Sequence, residues 1–278
     1  MMNQSALIST DHALRLINEE KCVVLDASID KVNQKLDPQQ VDLLPNSLFF
    51  DIEGVFSDHS SGLPHTMVDA DTFSREAQKL GIDNDSTVIV YDRWGVYSSP
   101  RAWWMFRYMG FDKVYVLNGG SPAWKAAGLP IVHEHGEAET NGVFIAKPQA
   151  EWLTSKEELL QNLDNDHVQV LDARSPARFH GTAAEPREGL RSGHMPGAKN
   201  IPFDQVLDEQ YLKDEEELRG VFEGKADNSK RLIFTCGSGI SAAIIALAAH
   251  EVGLDQISLY DGSWSEWGAD PSLPIQKD

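Results

Sequence analysis

The chain has 278 residues, enough for one large or two medium domains. Hydrophobic residues make up 41% and charged residues 24%, as in an ordinary globular protein, and the longest apolar stretch, Ile240 to Ala249, is too short to span a bilayer. A net charge of −19 argues against nucleic acid or anionic membrane as a partner; two cysteines, Cys22 and Cys236, make no disulfide framework or zinc site and point to a reducing compartment, the cytoplasm.

The N-terminus has no basic region followed by an apolar run, so no secretory signal or transit peptide is expected. A polar, helix-like stretch runs from Thr10 to Glu20, with Thr10 as its N-cap. A short apolar strand, Cys22 to Ser28, follows and contains Leu25-Asp26-Ala27. Pro45 then leads into a second extended piece ending near Asp51. Ser86 to Asp92 is a run of β-favouring residues and reads as a buried strand. After its loop comes a helix from Ser99 to Met109. Pro100 suits the first turn, and Gly110 stands where a C-terminal cap belongs. Trp103, Trp104, Phe106 and Tyr108 on this helix read as packing and domain-interface residues. Lys113 to Leu117 is a further strand, followed by Gly119-Gly120 and Trp124.

Residues 131–150 are polar and poorly periodic, as a linker is. His133 and His135 lie there without further ligands at suitable spacing, so no metal is expected. Beyond this stretch the pattern repeats. Thr154 to Leu163 is a polar helix with Thr154-Ser155-Lys156-Glu157 at capping-box spacing. Val168 to Ser175 contains a second Leu-Asp-Ala, and Pro196 leads into a second extended piece near Asn200. Lys230 to Cys236 matches Ser86 to Asp92, and Ile240 to Val252, ended by Gly253, matches the helix ended by Gly110. Gln256 to Tyr260, Gly262 and Trp267 close the second copy. Alternating strands and helices, given twice, predict an α/β fold of two domains, each a mainly parallel sheet with helices on both faces. The expected division is 1–130, a linker over 131–150, and 151–278.

The copies differ at one chemically decisive place. The strand that ends in Cys236 in the second half ends in Asp92 in the first, and an aspartate cannot do thiol chemistry. Cys236 also has the surroundings of a nucleophile. It ends a parallel strand, Gly237-Ser238-Gly239 lets the backbone curl with its N–H groups inward, and a helix N-terminus follows. All three favour a thiolate, or an anionic persulfide on the same sulfur. Cys22 starts a strand and reads as a core residue.

These features, nearly end to end, resemble the tandem-domain rhodanese-like sulfurtransferases. The loop Cys236-Gly237-Ser238-Gly239-Ile240-Ser241-Ala242 resembles that of the 3-mercaptopyruvate sulfurtransferases. Gly193-His194-Met195-Pro196-Gly197-Ala198 is similar to a second family motif, with Met195 departing from its isoleucine. Leu48 to Glu53 and Leu63-Pro64-His65 resemble the family's first domain. The resemblance implies an inactive first domain, an active second one and a Cys236 persulfide.

It also implies roles for other residues. Arg178 and Arg187 match substrate-binding arginines, whose planar forks suit a carboxylate, and the loop residues Gly237, Gly239, Ile240 and Ser241 would line the substrate. Ser238, His65 and Glu53 match a proposed relay; Glu53 stands where other members carry aspartate. Arg174 and Arg191 lack a match in the family and read as structural or surface residues. Thiosulfate-specific members carry basic residues in the cysteine loop, and this loop has none, which favours mercaptopyruvate over thiosulfate as donor. The implied acceptor is cyanide, a thiol or a thioredoxin-type dithiol, with no cofactor. A cysteine phosphatase would need arginine where Ala242 stands, and a non-catalytic binding module would not keep the cysteine with its loop intact.

Overall fold

The computed structural model describes residues 5–19 and 21–278. The first half contains β1 (Leu7–Ile8), α1 (Thr10–Ile17), β2 (Cys22–Asp26), β3 (Leu48–Phe49), α2 (Ala70–Lys79), β4 (Thr87–Tyr91), α3 (Ser99–Tyr108), β5 (Val114–Leu117) and α4 (Gly120–Ala126). The second half contains β6 (Leu153–Thr154), α5 (Lys156–Gln161), β7 (Val168–Asp172), α6 (Pro176–Phe179), β8 (Lys199–Asn200), the hairpin β9 (Leu207–Asp208) and β10 (Tyr211–Leu212), α7 (Glu215–Phe222), β11 (Arg231–Thr235), α8 (Ile240–Glu251), β12 (Ile257–Tyr260) and α9 (Ser263–Trp267).

The two sheets have the orders β1-β5-β4-β2-β3 and β6-β12-β11-β7-β8, the same order strand for strand. The strand pairings within both are parallel, as the apolar, β-branched runs predict. Side chains alternate across each sheet. Val24, Ile89 and Leu117 pack with Ala13 of α1 and Trp124 of α4; Leu25, Val88, Val90 and Val116 face the other way, onto α2 and α3. In the second sheet Val170, Ile233 and Tyr260 pack under α5 and α9, and Leu171, Leu232 and Phe234 under α7 and α8.

The inner faces of the two halves share one continuous core. Helices α3 and α8 pack on each other between the sheets. Ile240 and the residues from Ala242 to His250 are buried, as are those from Ser99 to Phe106. A helix apolar all round belongs in an interior, and the alanines of α8 let the two helices approach closely. Among the described residues no helix is long and apolar enough to cross a membrane.

Some local expectations shift by a residue. The N-caps are Ser9 and Ser155, whose side chains accept from the amides of His12 and Glu158, in place of Thr10 and Thr154. Thr154 is taken by the short edge strand β6, where its hydroxyl meets that of Ser258 at 2.5 Å. Glu20, the expected end of the first helix, lies outside the described residues. Gly110 and Gly253 follow α3 and α8 with left-handed φ values of 78° and 80°.

The stretch 131–150 is more firmly attached than its composition suggests. Phe144 is fully buried in the first-half core. The amides of Val143, Ile145 and Ala146 donate to Asp83, Asn84 and Ser74, and His135 Nε2 lies 2.9 Å from Asp26. Backbone bonding to first-half side chains leaves no polarity signal in the sequence, so the strap reads there as a free linker.

Candidate active site

Cys236 lies one residue past β11, at the carboxyl edge of the second sheet, and is 2% exposed. The loop after it is held from behind by α9. The amide of Trp264 donates to the Cys236 carbonyl at 2.9 Å, and the amide and hydroxyl of Ser265 donate to the Gly237 carbonyl at 2.9 and 2.6 Å. With its carbonyls turned back, the loop has its amides free to face the sulfur. The Gly239 amide donates to Cys236 Sγ at 3.1 Å. Gly239 caps α8 with φ +83°, a conformation that costs a side-chain-bearing residue about 1–2 kcal/mol.

The first half carries the same loop in a closed form. Oδ2 of Asp92 accepts from the amides of Tyr97, Ser98 and Ser99 at 2.8, 3.0 and 2.9 Å, and from the Ser99 hydroxyl at 2.7 Å. The anion nest there is filled by the strand end's own carboxylate. Cys22, the other thiol, is pushed up to about 11 by burial and then by Glu19, the opposite of what a nucleophile needs.

Cys236 opens onto a cavity of about 300 Å³ between the halves. The second half contributes Arg178, Arg187, Gly237, Ser238, Ile240 and Ser241, and the first contributes Glu53 and His65. All the sequence-predicted site residues except Gly239 line this space; Gly239 supports the sulfur from the loop. A larger cleft of about 830 Å³ elsewhere between the halves has no cysteine in its lining.

Arg178 lies against Gly237, its Nη2 3.0 Å from where a β-carbon would stand. It is ion-paired with Glu185 at 2.5 Å, and Glu185 also holds Arg174 at 2.8 Å. Arg174 is wholly buried and pairs with Asp172 at 2.6 Å, which makes it structural and not a surface residue. Arg191 donates to the backbone carbonyls of Trp267, Gly268, Asp270 and Leu273 and is structural too. Arg187 Nη2 reaches Ser238 Oγ at 3.4 Å. His194 stacks on Phe179 at 3.9 Å and bonds its carbonyl, locking the turn.

A chain of groups crosses the domain boundary. His65 Nδ1 lies 3.1 Å from Ser238 Oγ, and its Nε2 lies 3.3 Å from Glu53 Oε1. His65 has φ +61°, uncommon outside glycine, so its backbone needs external support. Arg101 supplies it by donating to the His65 carbonyl. Burial first, then the Arg101 charge, lowers the His65 pKa, with Glu53 opposing both. The imidazole is therefore neutral at neutral pH and able to exchange a proton with Ser238.

Arg101 and Tyr97 are site residues that the sequence reading missed; Lys31 stands on the rim of the same cavity, away from the sulfur. Arg101 is fully buried in α3, lies 2.6 Å from Asp261 and 4.5 Å over the Trp104 ring, and its Nη1 sits 2.8 Å from the β-carbon position of Gly239. A charge in the first turn of a helix otherwise rich in large aromatic residues, ahead of Trp103 and Trp104, is the signal that could have found it. Tyr97 lines the cavity, and burial followed by the Cys236 charge pushes its hydroxyl up to about 12, so it stays a donor. Lys31 lines it from the loop after β2, which carries no motif.

Comparison with known proteins identifies the family and the fold. The rhodanese-like domain model matches residues 9–127 and again 155–270. The mitochondrial thiosulfate/3-mercaptopyruvate sulfurtransferase 1 of Arabidopsis thaliana is 36% identical over 97% of this chain and 78% of its own length. The 3-mercaptopyruvate sulfurtransferase of Escherichia coli K12 is 40% identical over 84% of this chain and 83% of its own. The crystal structure of SseA from Escherichia coli, described as a 3-mercaptopyruvate sulfotransferase with the rhodanese fold, superimposes with a TM-score of 0.83 at 33% identity, covering 94% of this chain and 99% of that one. The chain belongs to the rhodanese-like domain family, as a tandem-domain sulfurtransferase.

Proposed function

We propose that the protein takes sulfur from 3-mercaptopyruvate onto Cys236 as a persulfide, releases pyruvate, and passes the sulfur to a thiophilic acceptor such as cyanide, a thiol or a thioredoxin-type dithiol. The observation that carries this reading is the pairing of an uncharged cysteine loop with Arg178 and Arg187 on one cavity wall. A compact dianion such as thiosulfate finds no cation in the loop; a 2-oxo carboxylate finds two forked donors beside Gly237. The name of the Escherichia coli relative gives the same donor, and that of the Arabidopsis relative gives it beside thiosulfate.

In the first half-reaction the Cys236 thiolate attacks the donor sulfur. A sulfur–sulfur bond forms, the carbon–sulfur bond breaks, and its electron pair becomes the enolate of pyruvate. Arg178 and Arg187 hold the carboxylate and the oxygen on which charge develops. Ser238, relayed through His65 and Glu53, supplies the proton that the enolate carbon takes up. The Gly239 amide stabilises the sulfur left on Cys236. Residues 151–278 act as the catalytic domain, residues 1–130 as a non-catalytic domain that lends Glu53 and His65, and 131–150 as the connection. The two free thiols fit a reducing compartment, which is the ground for placing the protein in the cytoplasm.

The test compares kcat/KM for 3-mercaptopyruvate and thiosulfate in the native protein and in Cys236→Ser. Sulfur transfer to cyanide should favour the first donor, and pyruvate release from 3-mercaptopyruvate should vanish in the variant. A clear preference for thiosulfate, or pyruvate release by Cys236→Ser, overturns the reading.

A further inference from the structure

The two walls of the Cys236 cavity carry their positive charge differently. On the second-half wall Arg178 and Arg187 stand beside Gly237, suited to the donor. The first-half wall carries Lys31. Its ammonium lies 4.4 Å over the Trp94 ring and 5.0 Å over the Tyr97 ring. Aromatic faces hold a cation in place without neutralising it, because they carry no net charge. No carboxylate lies within ion-pair distance of Lys31 among the described residues, although the chain as a whole has a charge of −19. The backbone of Lys31 is fixed by mutual bonds with Gln34 at 2.9 and 3.2 Å, and Val32 beside it is 62% exposed, so the lysine stands at the cavity rim. Burial lowers its pKa, with Asp92 pulling the other way, as expected for an ammonium partly withdrawn from water.

Once pyruvate has left, an acceptor entering over this rim meets an oriented ammonium that is held in no ion pair among the described residues. We propose that Lys31 selects the acceptor, and that the acceptor is a small thiol bearing a carboxylate, which docks on the Lys31 ammonium. The proposal rests on the reading of Cys236 as the persulfide carrier. The acceptor thiolate attacks the outer sulfur; a new sulfur–sulfur bond forms on the acceptor, the bond to Cys236 breaks, and Cys236 leaves as thiolate. The acceptor departs as a persulfide, and no external oxidant or reductant is needed. Arg178 and Arg187 serve the donor and Lys31 the acceptor, so one cavity handles two anions in turn.

The experiment uses the full-length protein with 3-mercaptopyruvate as donor and two probe thiols, 3-mercaptopropionate and neutral 2-mercaptoethanol. The single-turnover pyruvate burst and the KM for each thiol are measured for the native protein, Lys31→Ala, Lys31→Glu and Lys31→Arg. Lys31→Ala should raise the KM for 3-mercaptopropionate about fivefold, the size of one partly exposed charge pair, and Lys31→Glu should raise it further. Lys31→Arg should restore it. The KM for 2-mercaptoethanol and the burst should stay within about twofold of native in all three. Equal changes for both thiols, no change for either, or a rise in the donor KM instead would each overturn the proposal. Absence of a burst in the native protein would sink the proposed donor chemistry, which is a separate result.

Discussion

Arg101→Met keeps roughly the length of the side chain and removes its charge. In the native protein the guanidinium is fully buried and 2.6 Å from Asp261, across the boundary between the halves. With methionine in its place the Asp261 carboxylate keeps the Met67 amide at 2.7 Å but loses its counter-charge. Breaking a buried ion pair from one side costs about 3–5 kcal/mol. The Asp261 side chain is 11% exposed, so the lower end, about 3 kcal/mol, applies. Guanidinium denaturation should show this as a lower midpoint at unchanged slope. Arg101→Met with Asp261→Asn removes both charges and should recover about 2 kcal/mol of the loss.

The same variant makes a prediction about pH. Arg101 is the second cause, after burial, of the lowered His65 pKa, and Glu53 opposes it. Removing Arg101 raises the His65 pKa, so the acid limb of kcat/KM for pyruvate formation moves to higher pH. Glu53→Gln moves it the other way. The stability consequence has a definite sign. A histidine whose folded pKa lies below the unfolded value of about 6.5 leaves the unfolded chain holding more protons in the interval between them. Native stability therefore falls as pH drops through that interval, and Arg101→Met shortens the interval. Both limbs of the reasoning are refuted if the midpoint barely moves, the double variant recovers nothing and the acid limb stays in place.

Two further changes test the loop and its foundation. Gly239→Ala places a methyl group 2.8 Å from Arg101 Nη1 on a backbone with φ +83°. The guanidinium is pinned and cannot retreat, so a loss of about 2–4 kcal/mol and a fall in pyruvate burst rate of at least about tenfold are expected by denaturation and rapid quench; stability within about 0.5 kcal/mol of native would contradict the described packing. Arg174→Met leaves Asp172 and Glu185 buried without their shared cation and frees Glu185 to hold Arg178 alone. A loss of about 3–5 kcal/mol in the denaturation midpoint is expected, and unchanged stability would show that the pair contributes nothing.

The repeat, the parallel sheets and the nucleophile could be read from sequence because each is a local pattern. Strand runs such as Leu232-Ile233-Phe234 and the Gly-Ser-Gly after Cys236 announce their geometry within a few residues. The asymmetry between Asp92 and Cys236 is likewise visible in a single aligned position. Resemblance then supplied Arg178, Arg187, Ser238, His65 and Glu53, which the structure brings to one cavity.

What the tertiary structure alone decided is how the two halves share that cavity. Arg101 is 135 residues from Cys236 along the chain, and nothing local says that it lies under Gly239 and clamps His65. Lys31 looks like any loop lysine until Trp94 and Tyr97 are seen beneath it. The strap over 131–150 is polar in composition yet anchored by Phe144 and by amides bonded to the first half. Each of these depends on contacts between residues far apart in sequence, where spacing carries no information and only packing fixes the distance.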